Sequence, residues 1–257
     1  MPGLAIAAMI GVVAACAARA EPSALPPKPY RPVEIMLPPA AGDAALERLR
    51  EELAAAARRR VYADLARLVV PQGFFWERDF ARRNDGRRPG VDNLAAAVRL
   101  EAHDGAGWDR LAGFAAEASA EPLVSRPGVV CAPAPPRYDV VAFARLLDET
   151  FTDGAAWAYP RAEQVPVHPA PRAEAVQVTT LGLHFVRVLA WHGEGGDGRR
   201  EFTRWARIVA PAGETGFVRA DRLAALGDAR ICYGKDAFGR WSIAGYIDEE
   251  PRPKPQP

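Results

Sequence analysis

The chain lacks most of what would name a partner or a reaction outright. Its 33 Lys and Arg stand against 32 Asp and Glu, a net charge of +1, so no long-range field gathers nucleic acid or an anionic membrane. Nucleic acid is not expected as a partner. The four histidines, His103, His168, His184 and His192, show no His-x-x-x-His pairing and no partnered carboxylate motif, so no metal site is expected. The glycine-rich stretch Gly193-Glu194-Gly195-Gly196-Asp197-Gly198 lacks the Lys-Ser/Thr ending and the strand-to-helix setting of a phosphate loop, and reads as a hairpin tip. No cofactor is expected. Cysteine is scarce, with 3 in 257 residues, which excludes a disulfide-dense scaffold.

What is present begins with an uncharged apolar run, Leu4 to Ala18, too short for a lasting membrane span. Two exits from it are written in the residues. Ala18-Arg19-Ala20 fits the small-x-small rule for cleavage of a signal peptide at 1–20, and Val13-Ala14-Ala15-Cys16 resembles a lipobox that would lipidate Cys16 and tether the chain to a membrane. Either exit implies a periplasmic or outer-membrane-anchored protein. Residues 21–41 then carry seven prolines between Pro22 and Pro39, and read as a linker. In polyproline II geometry it would reach roughly 50 to 60 Å; the alternative is a disordered leader with no spacing role. Cys131 and Cys232 remain as thiols in an oxidising compartment. They form one disulfide, or else are two separately buried small hydrophobes.

With 49% of its residues apolar, the chain has material for one large or two small domains. Asp43 caps a long amphipathic helix through Leu46, Leu49, Leu53, Val61, Leu65 and Leu68, ended by Pro71-Gln72-Gly73. The aromatic group Phe74, Phe75, Trp76 and Phe80 follows as expected core. Helical spacing recurs at 92–101, 108–119 and 138–151, so residues 42–155 read as a mainly helical domain. From Val165 the period changes to two, in runs at 176–181, 183–191, 205–209 and 216–219. A last hairpin within 228–248, strands at 229–233 and 240–247, carries Cys232 and is free to join a sheet of the helical half. Residues 249–257, alternating in proline, read as a disordered tail.

Within this pattern, Val165-Pro166-Val167-His168-Pro169, Phe185-Val186-Arg187-Val188-Leu189, Trp205-Ala206-Arg207-Ile208 and Gly213-Glu214-Thr215-Gly216-Phe217-Val218 resemble, in order and spacing, a bacterial SH3-like (SH3b) domain. The flanks, with Cys131-Ala132-Pro133 and Cys232-Tyr233, resemble exported proteobacterial proteins of unknown function. The resemblance covers about sixty residues and implies a small β-barrel at 159–226. The expected fold class is therefore α+β: a mainly helical N-terminal domain, a small SH3-like β-barrel and a C-terminal hairpin. The family binds cell-wall peptides or other proteins, which implies ligand contacts at Tyr159, His168, Trp191, Trp205 and Phe217; the alternative for each is a core or turn role.

The resemblance implies a non-enzymatic exported binding or scaffold protein whose partner is cell-wall peptide or another envelope protein. No catalytic residue is expected, because Cys131 lacks the Asp-Cys-Ser-Gly setting of cell-wall cysteine peptidases. The alternative is a cell-wall hydrolase with an unfamiliar active site in the helical domain, drawn from Glu77, Asp79, Asp85 or Asp92. Arg78, Arg82, Arg83, Arg87 and Arg88 interleave with these acids as a solvated ion-pair network or an anion-binding patch.

Overall fold

A computed structural model describes residues 28–78, 81–193 and 204–248. The leader with Cys16, Asp79 and Phe80, the glycine-rich tip at 194–198 and the tail at 249–257 lie outside the described residues. In chain order the elements are β1 (Ile35–Met36), α1 (Ala44–Arg59), α2 (Tyr62–Ala66), β2 (Phe75–Arg78), β3 (Ala81–Arg82), α3 (Gly90–Val98) and α4 (Ala106–Ala115). They continue with β4 (Glu121–Pro122), β5 (Val129–Ala132), β6 (Arg137–Tyr138), α5 (Val140–Thr150), β7 (Trp157–Pro160), β8 (Val165–Val167), β9 (Thr179–Leu181) and β10 (Val186–Gly193). The last are β11 (Arg204–Val209), β12 (Thr215–Arg219), β13 (Leu223–Ala225), β14 (Arg230–Lys235) and β15 (Trp241–Asp248).

The expected fold class, with its mainly helical N-terminal domain, is overturned. Strand exceeds helix, about 32% against 28%, and residues 42–155 contribute four strands to a six-stranded sheet of order β3-β2-β15-β14-β5-β4. The aromatic run at Phe75-Trp76 and the Pro-flanked Val129–Ala132 are strands because the C-terminal hairpin lies between them. β15 pairs parallel with β2, and β14 pairs antiparallel with β5. Gly245 is required at this seam, since a Cβ there would stand 2.3 Å from the Phe75 ring.

Helices cover one face of this sheet. Asp43 accepts from Ala45 N and Leu46 N at 2.9 and 3.1 Å, starting α1 with Leu46, Leu49, Leu53, Ala56 and Ala57 buried along one stripe. The long helix expected through Leu68 breaks at Arg60, which turns left-handed at φ 57° and redirects the chain into the short α2. Leu68 and Val70 then bond to Ile243 of β15. Arg50 of α1 is buried at 2% exposure, its guanidinium donating to Glu47 at 2.7 Å and to the carbonyls of Ala118 and Ser119 at 3.0 and 3.3 Å.

Between β5 and β14 the chain inserts a second unit. Its five-stranded sheet runs β12-β11-β10-β7-β13, with a single 3-10 turn at Ala220–Arg222 between the last two strands in sequence. Alternate residues point to one interior, where Ala158, Val186, Ile208, Val218 and Leu223 meet Val165 and Val167 of the β8–β9 hairpin. Past β8, His168 and Phe217 exchange both backbone hydrogen bonds at 2.8 Å, joining that hairpin to β12. Gly216 makes room there, because a Cβ would meet Val167 Cγ1 at 2.3 Å.

The outer face of this sheet is covered by two segments the sequence reading placed elsewhere. α5, expected in the helical domain, packs Phe143 and Leu146 against Trp157, Tyr159 and Phe185. Residues 28–41, read as the end of the linker at 21–41, are docked and not a free spacer. Tyr30 Oη donates to Val209 O at 2.9 Å, Phe185 N donates to Val33 O at 3.1 Å, and β1 pairs with β6. Prolines 29 and 32 remove ladder donors, but Tyr30, Val33 and Ile35 bury apolar surface, and that burial decides the outcome.

Cys131 and Cys232 face each other across β5 and β14, Cα atoms 4.0 Å apart, and are disulfide-bonded. Both are fully buried. The bond lies at the base of the inserted unit and closes a sequence separation of 101 residues.

Candidate functional site

The five residues singled out for ligand contact fall into different environments. Trp205 is fully buried, and the His168 ring stands edge-on to it with centroids 5.5 Å apart. His168 is half-buried, its Nδ1 within 2.8 Å of Ala175 O. Phe217, also half-buried, lies beside them through its pairing with His168. These three come together as packing that holds the β8–β9 hairpin against β12. Tyr159 belongs to the separate cluster under α5, where burial pushes its hydroxyl up to about 12. Only Trp191, on β10 at 44% exposure, presents a large open surface among the five.

Of the acidic residues offered for hydrolysis, the three that are described are engaged individually. Glu77 accepts from Arg126 at 2.7 Å, Asp85 accepts from the Arg87 N–H at 2.9 Å, and Asp92 accepts from the Tyr62 hydroxyl. Of the interleaved arginines, Arg78 grips Asp248 through Nε and Nη2 at 3.0 and 2.6 Å. Among the described residues Arg82, Arg83, Arg87 and Arg88 are exposed and make no ion pair. Among the same residues no group of three or more His, Cys, Asp or Glu side chains is placed to hold a metal ion.

A concavity that both units share lies elsewhere. A cleft of 590 Å³ opens between α4 and the 3-10 turn, with Arg110 and Glu117 on one wall, Arg161, Asp221 and Arg222 on the other, and Asp228 at its end. Arg161, directly after β7, is the hub. Its Nε donates to Leu223 O at 3.1 Å, Nη1 donates to Glu117 Oε2 at 2.9 Å, and Nη2 lies 3.7 Å from Asp228 Oδ2. Glu117 is itself oriented by the Ser119 hydroxyl at 2.7 Å, and that hydroxyl accepts from Ala134 N at 3.1 Å. A continuous polar chain thus ties the six-stranded sheet unit to the inserted one. Desolvation raises the Asp228 carboxyl above its ordinary range, against its bond from Ala225 N and the charge of Arg161.

Three guanidinium groups and three carboxylates around one cleft make it neutral overall but strongly polar at both signs. Such a lining suits a ligand carrying ammonium and carboxylate groups together. This set is not legible in the sequence. Its members come from 110–117, 161 and 221–228, and no local spacing links them. Comparison with protein-family models, with curated proteins and with solved structures finds no match.

Proposed function

We propose that the protein is a non-enzymatic, exported binding or scaffold protein in which an SH3-like barrel and the cleft beside it engage cell-wall peptide or another envelope protein. One observation carries this reading. The strand order β12-β11-β10-β7-β13, wrapped on its own apolar interior with one 3-10 turn before the closing strand, puts that turn's Asp221 and Arg222 on the cleft wall. A small barrel presenting a polar turn next to a neighbouring domain is an ordinary arrangement for holding a ligand. Stem peptides of a cell wall carry free carboxylates and an ammonium, the charge pattern that the paired arginines and acids complement.

The experiment is cosedimentation of the purified protein with sacculi, followed by calorimetry with soluble stem peptide. Binding is expected, weakening as salt rises, with a loss of about tenfold or more in Arg222→Glu. Recovery of neither murein nor an envelope protein would refute the reading, as would zymographic clearing of sacculi. For export, the expected mature protein either begins at Glu21 or incorporates palmitate in a form abolished by Cys16→Ala.

A further inference from the structure

A second concavity, on the helical side of the six-stranded sheet, belongs to neither the barrel nor the shared cleft. It is an open cleft of about 720 Å³, within the range of about 300–1,000 Å³ usual for small-molecule sites. Two aromatic side chains from different elements line it: Tyr62, which opens α2 at 42% exposure, and Trp108 of α4, half-buried with its covered part against the core. Ala95, Ala96 and Ala102 contribute small side chains to the lining, leaving room for a flat ring to approach the backbone. Both aromatic groups are held in place. The Tyr62 hydroxyl donates to the Asp92 carboxylate, and the core packing fixes Trp108.

Around these rings stand Arg88, Arg99 and Glu101, which among the described residues form no ion pair. Arg99 is placed there at a conformational cost. It terminates α3 in the left-handed region at φ 57°, a position ordinarily filled by glycine. Two arginines against Asp92 and Glu101 leave the cleft without net charge. Aromatic faces flanked by planar, unpaired hydrogen-bonding groups in an electrically neutral slot match a molecule with apolar C–H faces and a rim of hydroxyls.

We propose that this cleft binds an uncharged oligosaccharide, with pyranose rings against Trp108 and Tyr62 and hydroxyls held by Arg88, Arg99 and Glu101. The site is independent of the barrel reading. The test is calorimetric titration of the full, disulfide-bonded chain with chitotetraose and with cellotetraose, at low and high salt. Binding of one or both is expected, nearly indifferent to salt because the ligand carries no charge. Trp108→Ala should weaken it about tenfold or more, the usual penalty for losing an aromatic anchor.

Arg99→Gly guards against a folding artefact. Glycine relieves the left-handed strain, so thermal stability should hold or rise while sugar affinity falls. Arg222→Glu, in the other cleft, should leave sugar binding unchanged, which separates failure of this proposal from failure of the peptide one. Absence of binding by both tetrasaccharides, or binding untouched by Trp108→Ala and Arg99→Gly alike, would overturn the assignment. Salt-sensitive binding confined to an anionic oligosaccharide, heparin tetrasaccharide being the probe, would overturn it too.

Discussion

Replacing Cys131 and Cys232 together by alanine removes the covalent link at the join between the two units. The bond spans 101 residues and sits where the inserted unit leaves and re-enters the six-stranded sheet. In the chain-entropy model a loop of that length costs the cross-linked denatured chain about 16 cal/mol/K, so the double variant should lose about 4.7 kcal/mol at 25 °C. That is a large share of the roughly 5–15 kcal/mol that a domain has in hand. Urea unfolding of oxidised protein and double variant, followed by tryptophan fluorescence, measures the difference from the shift of the midpoint at constant slope. Because both sulfurs are fully buried, a reductant should open the bond only through unfolding, at a rate that follows the global unfolding rate. A loss under about 1 kcal/mol, or reduction of the native protein much faster than it unfolds, would refute this account of the bond's role.

Gly245→Ala forces a methyl group into the Phe75 ring at the parallel β2–β15 seam, and should cost about 1–3 kcal/mol by thermal denaturation. Arg50→Ala empties a buried site and strands the carbonyls of Ala118 and Ser119, a loss of about 3 kcal/mol measurable in the same assay. Asp139→Ala removes the acceptor for Val141 N and Ala142 N at the start of α5, and should lower stability by about 1 kcal/mol. Asp43 is pulled down to about 2, first by the Leu46 N–H and then by Lys235. Its folded value lies below the ordinary 3.8, so the stability it contributes is complete above about pH 4 and is lost as pH falls toward 2. Acid titration of the melting temperature should therefore show a shallower fall in Asp43→Asn, which keeps an acceptor but cannot protonate.

Local chemistry made several elements readable. Asp43 announces a helix start through capping, and the two-residue period marks β10 to β12 and the final hairpin. The cysteine count left a disulfide and two separate thiols both open, and the structure has the disulfide. β2 and β5 were not readable. Each has four residues beside glycine or proline, with no alternation to expose it, and the central strands that hold them in the sheet, β15 and β14, lie about a hundred residues or more away in sequence. Helical spacing around them therefore dominated the reading and made the N-terminal half seem helical. Of the site residues, Trp205, Phe217 and His168 are ligand contacts only by the family resemblance, and nothing in the sequence distinguishes a ring packed under a hairpin from one at a surface.

Periodicity, caps and breakers thus mark the start of α1, the strands β10 to β12 and the final hairpin, since those preferences act within a few residues and need no partner. Which strand lies beside which, that residues 28–41 dock instead of dangling, and that Arg161 meets Glu117 at the mouth of a cleft depend on contacts between distant segments. Their energies come from buried area and paired charge, which exist only once the chain has closed on itself.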